Sequence, residues 1–86
     1  MNTLWMLMGL FGGKPVVPVE DVRRNFFAAY EATTFLRKLA AGDIPLPVVR
    51  LDGSQKGPKG VHLTDLAAYL DKQAEAARKE ARKLAS

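Results

Sequence analysis

The chain has 86 residues, of which 48% are hydrophobic, and a formal net charge of +4 at pH 7. A chain of this length forms one domain, or one domain with a tail, and buries somewhat more than about 60% of its unfolded surface. It has no cysteine and one histidine. Disulfides and a thiolate zinc site are therefore excluded, and little is left for a nucleophile–base pair. No cofactor or metal is expected, and the absence of an acid/base carboxylate couple or phosphate-binding loop argues against an enzyme.

A continuous apolar run extends from Leu4 to Phe11. It is too short for a membrane span, which needs about 20 residues. It also lacks the basic segment and the small-residue cleavage site of a signal peptide. The run predicts a buried strand, in which Trp5 and the methionines serve as core or interface residues. No membrane contact is expected.

Two short elements are predicted next. The sequence Gly12-Gly13-Lys14-Pro15 is typical of a turn, and Val16-Val17 predicts a brief strand. Apolar residues then recur at helical spacing, which predicts a first helix from Val19 to Phe27. Its cations Arg23 and Arg24 are expected to be solvated, with contact to flanking DNA backbone as the less favoured interpretation.

A second helix follows after a weakly marked break. Ala32, Phe35, Leu36 and Leu39 fit one apolar face, and Gly42 is suited to end the helix in a left-handed conformation.

The opposite face of this second helix is polar and basic. It carries Thr33, Thr34, Arg37 and Lys38. Arginine can bind a guanine edge, threonine a phosphate or a thymine methyl, and lysine a phosphate. The second helix of such a pair is the one that enters the DNA major groove. On periodicity alone, an ordinary solvated face is an equal alternative.

A β-hairpin with a long polar loop is predicted beyond two closely spaced prolines. Val48–Leu51 and Gly60–Leu63 read as its strands. The candidate phosphate-binding residues of this hairpin are Arg50, Ser54, Gln55, Lys56 and Lys59. A hairpin made polar for solubility is the alternative. We expect Lys56 and Lys59 to steady a complex through phosphates rather than Gln55 to read bases.

The C-terminal part predicts one long helix, with Thr64 as its N-cap. A heptad-like seam runs along it through Ala67, Leu70, Ala74, Ala77, Ala81 and Leu84. The seam either pairs with a second subunit or lies along its own domain. A homodimer is favoured because two half-sites supply affinity that one small module lacks.

The order of these elements predicts an α+β fold: a winged helix-turn-helix-like domain with an N-terminal strand, a β-hairpin wing and a long C-terminal helix. Residues 1–71 would form the DNA-binding domain and residues 72–86 a helical extension that serves dimerisation. The expected ligand is double-stranded DNA.

The sequence resembles the pyocin activator PrtN-like family, small transcriptional activators of phage-tail bacteriocin and prophage genes. The resemblance rests on Phe35–Lys38, Ala41–Ile44, Leu46–Arg50, Ser54–Lys56, Lys59–Leu63, Asp65–Asp71 and Ala76–Glu80. It implies DNA binding at promoters, activation of transcription, a cytoplasmic, nucleoid-associated location and RNA polymerase as a candidate partner. Tyr30-Glu31 departs from the expected leucine and serine or threonine cap, which weakens the turn between the two helices.

Two other functions are open at this point. An excisionase-like protein that bends DNA would share the same fold. A protein-interaction module would instead use the N-terminal segment and the alanine-rich helix.

Overall fold

The computed structural model describes residues 2–85 as four helices and one small antiparallel sheet, which confirms the α+β class. The elements are α1 (Thr3–Leu10), β1 (Val16–Pro18), α2 (Val19–Phe26), α3 (Ala32–Ala41), β2 (Val49–Arg50), β3 (Lys59–His62) and α4 (Leu63–Ala85). The predicted brief strand, both helices of the central pair and the hairpin are therefore present, with boundaries shifted by one or two residues.

The N-terminal apolar run forms helix α1, so the predicted N-terminal strand is wrong. Leucine and methionine dominate the run, and both are strong helix formers. The side chain of Asn2 accepts a hydrogen bond from the backbone N–H of Trp5 at 2.9 Å and caps the helix. A continuous apolar run carries no periodicity that separates a buried strand from a helix. The cap and the helix-forming residues favour a helix over a strand.

Strand β3 lies at the centre of the three-stranded sheet, in the order β1-β3-β2. It pairs antiparallel with β1, with Val17 opposite Val61, and with β2, with Arg50 opposite Lys59. The pairing with β1 joins the hairpin to the N-terminal half of the chain. The sequence pattern predicted the hairpin but not this second partner.

The core forms between the sheet and the four helices. Its largest fully buried side chains are Phe35, Leu63, Leu66, Val17, Val22 and Val61. Ile44 and Leu46, in the proline-containing segment after α3, are also buried. Ala32 and Leu36 were predicted on the buried face of α3 but are exposed. The core contacts α3 mainly through Phe35, so the predicted apolar stripe is wider than the face that packs.

Helix α4 begins one residue before the predicted cap. The backbone N–H of Thr64 donates to Nδ1 of His62 at 3.1 Å. His62, directly before the first helical residue, therefore takes the capping role that was predicted for Thr64. The single histidine of the chain therefore supports the start of α4.

Helix α1 packs antiparallel to the first half of α4. The Thr3 hydroxyl donates to the Asp71 carboxylate at one end. At the other end, the N–H of Leu63 donates to the carbonyl of Pro15 at 2.9 Å. Beyond Ala74, residues 75–85 of α4 are all exposed.

Substitution of Gly60 by alanine should destabilise the sheet. A Cβ at this position would lie 2.7 Å from Cγ1 of Val16 and 2.9 Å from the backbone oxygen of Val17. Strand β1 would have to move, at a cost of about 1–3 kcal/mol in the free energy of unfolding. Urea unfolding followed by circular dichroism measures this.

The same change at Gly9 is the matched control. Gly9 lies within α1, and a Cβ there meets nothing within 4 Å. Alanine should therefore stabilise the protein by up to about 1 kcal/mol. Equal effects of the two substitutions would contradict the close approach of β1 to Gly60.

Candidate nucleic-acid interface

Helices α2 and α3 are joined by a turn that Arg23 holds. Its Nε and Nη2 atoms donate to the Glu20 carboxylate, both at 2.7 Å. Nη1 donates to the backbone carbonyl of Tyr30 at 2.9 Å. Hydrogen bonding from Arg23 lowers the pKa of the Glu20 carboxyl, and the same bond raises the pKa of the guanidinium. The expectation of a merely solvated Arg23 is therefore wrong, because this side chain fixes the inter-helix turn.

Aromatic rings complete the turn. The ring of Phe27 lies 4.8 Å from that of Phe35, 6.5 Å from Tyr30 and 6.0 Å from Tyr69, measured between centroids. Glu31 stands at the N-cap of α3 but makes no capping hydrogen bond with its side chain. The departure at Tyr30-Glu31 thus removes a cap, while Tyr30 supplies a ring contact and the carbonyl that Arg23 binds.

The four polar residues predicted on α3 lie on two different sides of the helix. Thr33 and Arg37 are exposed on the outer face. Thr34 and Lys38 are half-buried on the flank toward the turn, where Nζ of Lys38 lies 5.2 Å from the centroid of the Tyr30 ring. A cation over an aromatic face is held by electrostatic attraction. Of the four, Thr33 and Arg37 are therefore the ones exposed to solvent.

The other flank of α3 borders a groove of about 650 Å³ that it shares with the hairpin. The groove is lined by Leu36, Leu39, Ala40, Leu46, Pro47, Val48, Arg50 and Lys59. One wall is apolar, and two cations stand on the hairpin side. Leu36 is 44% exposed and was assigned to the core by sequence reasoning. Its place next to Arg37 on a basic helix was the available signal that it could meet a ligand.

The hairpin loop is held in shape from within. The N–H of Ser54 donates to the Asp52 carboxylate at 2.9 Å, and this hydrogen bond lowers the pKa of Asp52. Gly53 adopts a left-handed φ of 77°. A Cβ on Gly57 would overlap the Asp52 carboxylate. Two of the loop glycines are therefore required by its conformation.

The predicted phosphate-binding residues of the hairpin differ in whether they already make hydrogen bonds within the loop. Nζ of Lys59 donates to the carbonyl of Gln55 at 2.9 Å, so Lys59 braces the loop. Lys56 is exposed, and its side chain makes no hydrogen bond or ion pair with any of residues 2–85. The N–H of Ser54 is occupied by Asp52. Lys56 and Arg50 are the exposed cations of the hairpin.

Arg50 lies opposite Lys59 across β2 and β3, and both residues border the groove with α3. The fold therefore brings these two hairpin cations to the flank of α3 that carries Leu36 and Leu39, which sequence spacing could not show. Among residues 2–85 no group of three or more His, Asp or Glu side chains could hold a metal ion. None of the helices described for these residues is long and apolar enough to cross a membrane.

These features define a small α+β protein in which α3 carries the exposed Arg37 and the neighbouring hairpin carries the exposed Arg50 and Lys56. The family model described as pyocin activator protein PrtN matches residues 3–77. The chain therefore belongs to the pyocin activator family, a family of regulatory proteins rather than enzymes. No curated protein and no solved structure gives a significant match.

The loop should lose its internal order in acid. Because the folded pKa of Asp52 is lowered, its hydrogen bond to Ser54 is present above the unfolded pKa and is lost as pH falls through the folded pKa. The chemical shift of the Ser54 amide proton should follow this protonation, with a midpoint below about pH 3.9, the usual pKa of aspartate. Nuclear magnetic resonance measures this shift. Asp52→Asn should abolish the titration, whereas a midpoint at or above the usual value would contradict the bond.

Proposed function

We propose that this protein is a transcriptional activator that binds duplex DNA as a winged helix-turn-helix. Helix α3 enters the major groove, and the loop between β2 and β3 contacts the phosphate backbone. The observation that carries this proposal is the groove that α3 shares with the hairpin, with Arg50 and Lys59 on its rim. It supports simultaneous contact of one DNA duplex by helix and hairpin. The family membership supports the regulatory role.

Base recognition is assigned to the outer face of α3. Arg37 is exposed there, and a guanidinium can bind O6 and N7 of guanine together. Thr33 lies one turn before it on the same face. Leu36, adjacent and 44% exposed, offers the apolar contact that a thymine methyl prefers. Lys38 and Thr34, on the flank, suit phosphates rather than base edges.

Backbone contact is assigned to the hairpin. Lys56 supplies a charge that takes no part in the loop's internal hydrogen bonds to Asp52 and Gln55. Lys59 and Arg50 contribute from the base of the hairpin, where Lys59 also braces the loop. The role of Ser54 and Gln55 is then to shape the loop, since the Ser54 N–H and the Gln55 carbonyl both bond within it. The loop steadies the complex and does not read bases.

The net charge of +4 favours association with an anionic polymer. We assign DNA binding to residues 1–71 and leave the helical extension 72–86 outside the contact. Activation in turn implies that the bound protein contacts RNA polymerase in the bacterial cytoplasm.

Removal of the Lys56 charge should reduce the salt dependence of binding. Each phosphate contact contributes about 0.9 to the slope of log K against log salt concentration, so Lys56→Ala should lower the slope by about that amount. Fluorescence anisotropy on a duplex at several salt concentrations measures it. Lys14→Ala, in the turn before β1, is the matched control and should leave the slope unchanged. An unchanged slope for Lys56→Ala would contradict the loop contact.

Removal of the Arg37 side chain should instead relax sequence specificity. We expect Arg37→Ala to cost about 1–3 kcal/mol on fragments that the wild-type protein selects from a random DNA pool. Binding to unselected DNA should change much less. The control is Arg24→Ala, because that guanidinium bonds Asp21 on α2. Equal losses on selected and unselected DNA would show that Arg37 binds phosphate only.

A further inference from the structure

The outer face of α1 is apolar and open. Trp5 is 71% exposed and Met6 52%, and Gly9 on the same side has no neighbour within 4 Å of an added Cβ. The helix has no charged residue. A helix that is apolar all round is normally buried. Large exposed apolar patches mark interaction sites.

The second half of α4 is also unsupported by its own domain. Helix α1 starts level with Asp71 and runs back toward Leu63. The segment 72–85, which we name the tail, therefore continues away from α1 for about 20 Å at 1.5 Å per residue. Its seam of small residues, from Ala74 to Leu84, continues the face on which Leu66 and Ala67 are buried.

The net charge of the tail limits the surfaces on which it can pack. The tail carries five Lys or Arg residues and two Glu residues, a net charge of +3. Glu75 already binds Arg78 and Arg82 within the same helix. Two tails side by side would bring like charges together, which is unfavourable. The uncharged face of α1 brings no such repulsion.

Side-chain size leads to the same pairing. The α1 face presents the large side chains of Trp5 and Met6, whereas the tail seam consists mainly of alanine. Alanine against alanine buries little apolar area and associates weakly. Large residues packed between small ones fill the space between two helices.

We propose that two copies of this chain associate by reciprocal contact, in which the tail of each copy lies on the α1 face of the other. Such an arrangement is isologous, because each copy contributes both surfaces. Helix α1 packs on α4 rather than on the hairpin, and the ring of Phe11, directly after α1, lies 6.5 Å from the Phe26 ring of α2. Association therefore leaves the α3 and hairpin groups accessible and does not depend on whether they bind DNA.

Trp5 is the only tryptophan of the chain, so it reports on this contact directly. In the wild-type protein, its emission should shift to shorter wavelength and its quenching by acrylamide should fall as protein concentration rises. Sedimentation velocity should show a dimer over the same range. Ala77→Glu, on the seam, should raise the dissociation constant roughly tenfold or more, because it places a carboxylate against an apolar face.

Ala76→Glu is the matched control. It introduces the same charge at a neighbouring position on another face of the helix, and it should leave the dissociation constant unchanged. Both positions are exposed and glutamate is a good helix former, so neither variant should unfold. Circular dichroism verifies this.

Mixing two defective variants distinguishes reciprocal contact from contact between like surfaces. Trp5→Ala damages only the α1 face, and Ala77→Glu damages only the tail. Each variant alone has two damaged contacts in its dimer. A mixed dimer has one fully intact contact and one that carries both changes, so mixing should restore association in part and blue-shift the Trp5 emission of the Ala77→Glu chain.

Three results would overturn the proposal. One is a wild-type protein that stays monomeric with an unchanged Trp5 spectrum at all concentrations. Another is a dimer that the mixed variants fail to restore, which would indicate contact between like surfaces. The third is a Trp5 shift that appears only on addition of phosphatidylglycerol vesicles, which would make α1 a lipid-binding element. DNA binding, measured separately by anisotropy, has no influence on these outcomes.

Discussion

Strand β3 depends on a close approach of β1 to Gly60, and most of the structure depends on β3. Because Gly60 has no side chain, the Val17 carbonyl can lie next to its backbone. The neighbouring Val61 is fully buried. β3 pairs on its other side with β2 and leads without a linker into α4, which His62 caps. One short strand thus sets the position of the hairpin, the C-terminal helix and, through α4, helix α1.

The surface proposed to bind DNA is built on a second constraint, the turn between α2 and α3. Arg23 donates hydrogen bonds to Glu20 and to the Tyr30 carbonyl, and the ring of Phe27 packs on Phe35. Four basic residues in this part of the molecule therefore divide into two pairs. Arg23 and Lys59 hold local structure, whereas Arg37 and Lys56 extend outward. A count of positive charge alone would treat all four as equivalent.

The two surfaces of the molecule have different chemistry. The groove between α3 and the hairpin combines an apolar wall with cations, and this combination is suited to nucleic acid. The α1 face is apolar without charge, and it matches the small-residue seam of the tail. Their separation in the fold would keep the two proposed interfaces from competing with each other.

Much of this organisation is readable from the amino-acid sequence alone. Two helices, a hairpin and a long alanine-rich helix follow from apolar spacing, from Gly42 and from the β-branched residues near Val49, because these are local preferences. The residues that match the pyocin activator family are also a property of the sequence. The polar face of α3 was predicted by periodicity, since residues three and four apart share a side of a helix.

Only the tertiary structure decided which of those residues are available. The N-terminal run lacks a periodicity that separates strand from helix, and its helical form depends on the Asn2 cap and on packing against α4. Leu36 has the spacing of a core residue, but the core contacts α3 at Phe35 and leaves Leu36 in the groove. Arg23 and Arg24 are adjacent cations, yet only Arg23 reaches the Tyr30 carbonyl. Sequence determined the elements through local preferences, and the fold assigned their surfaces, because burial and hydrogen bonding depend on residues far apart in the chain.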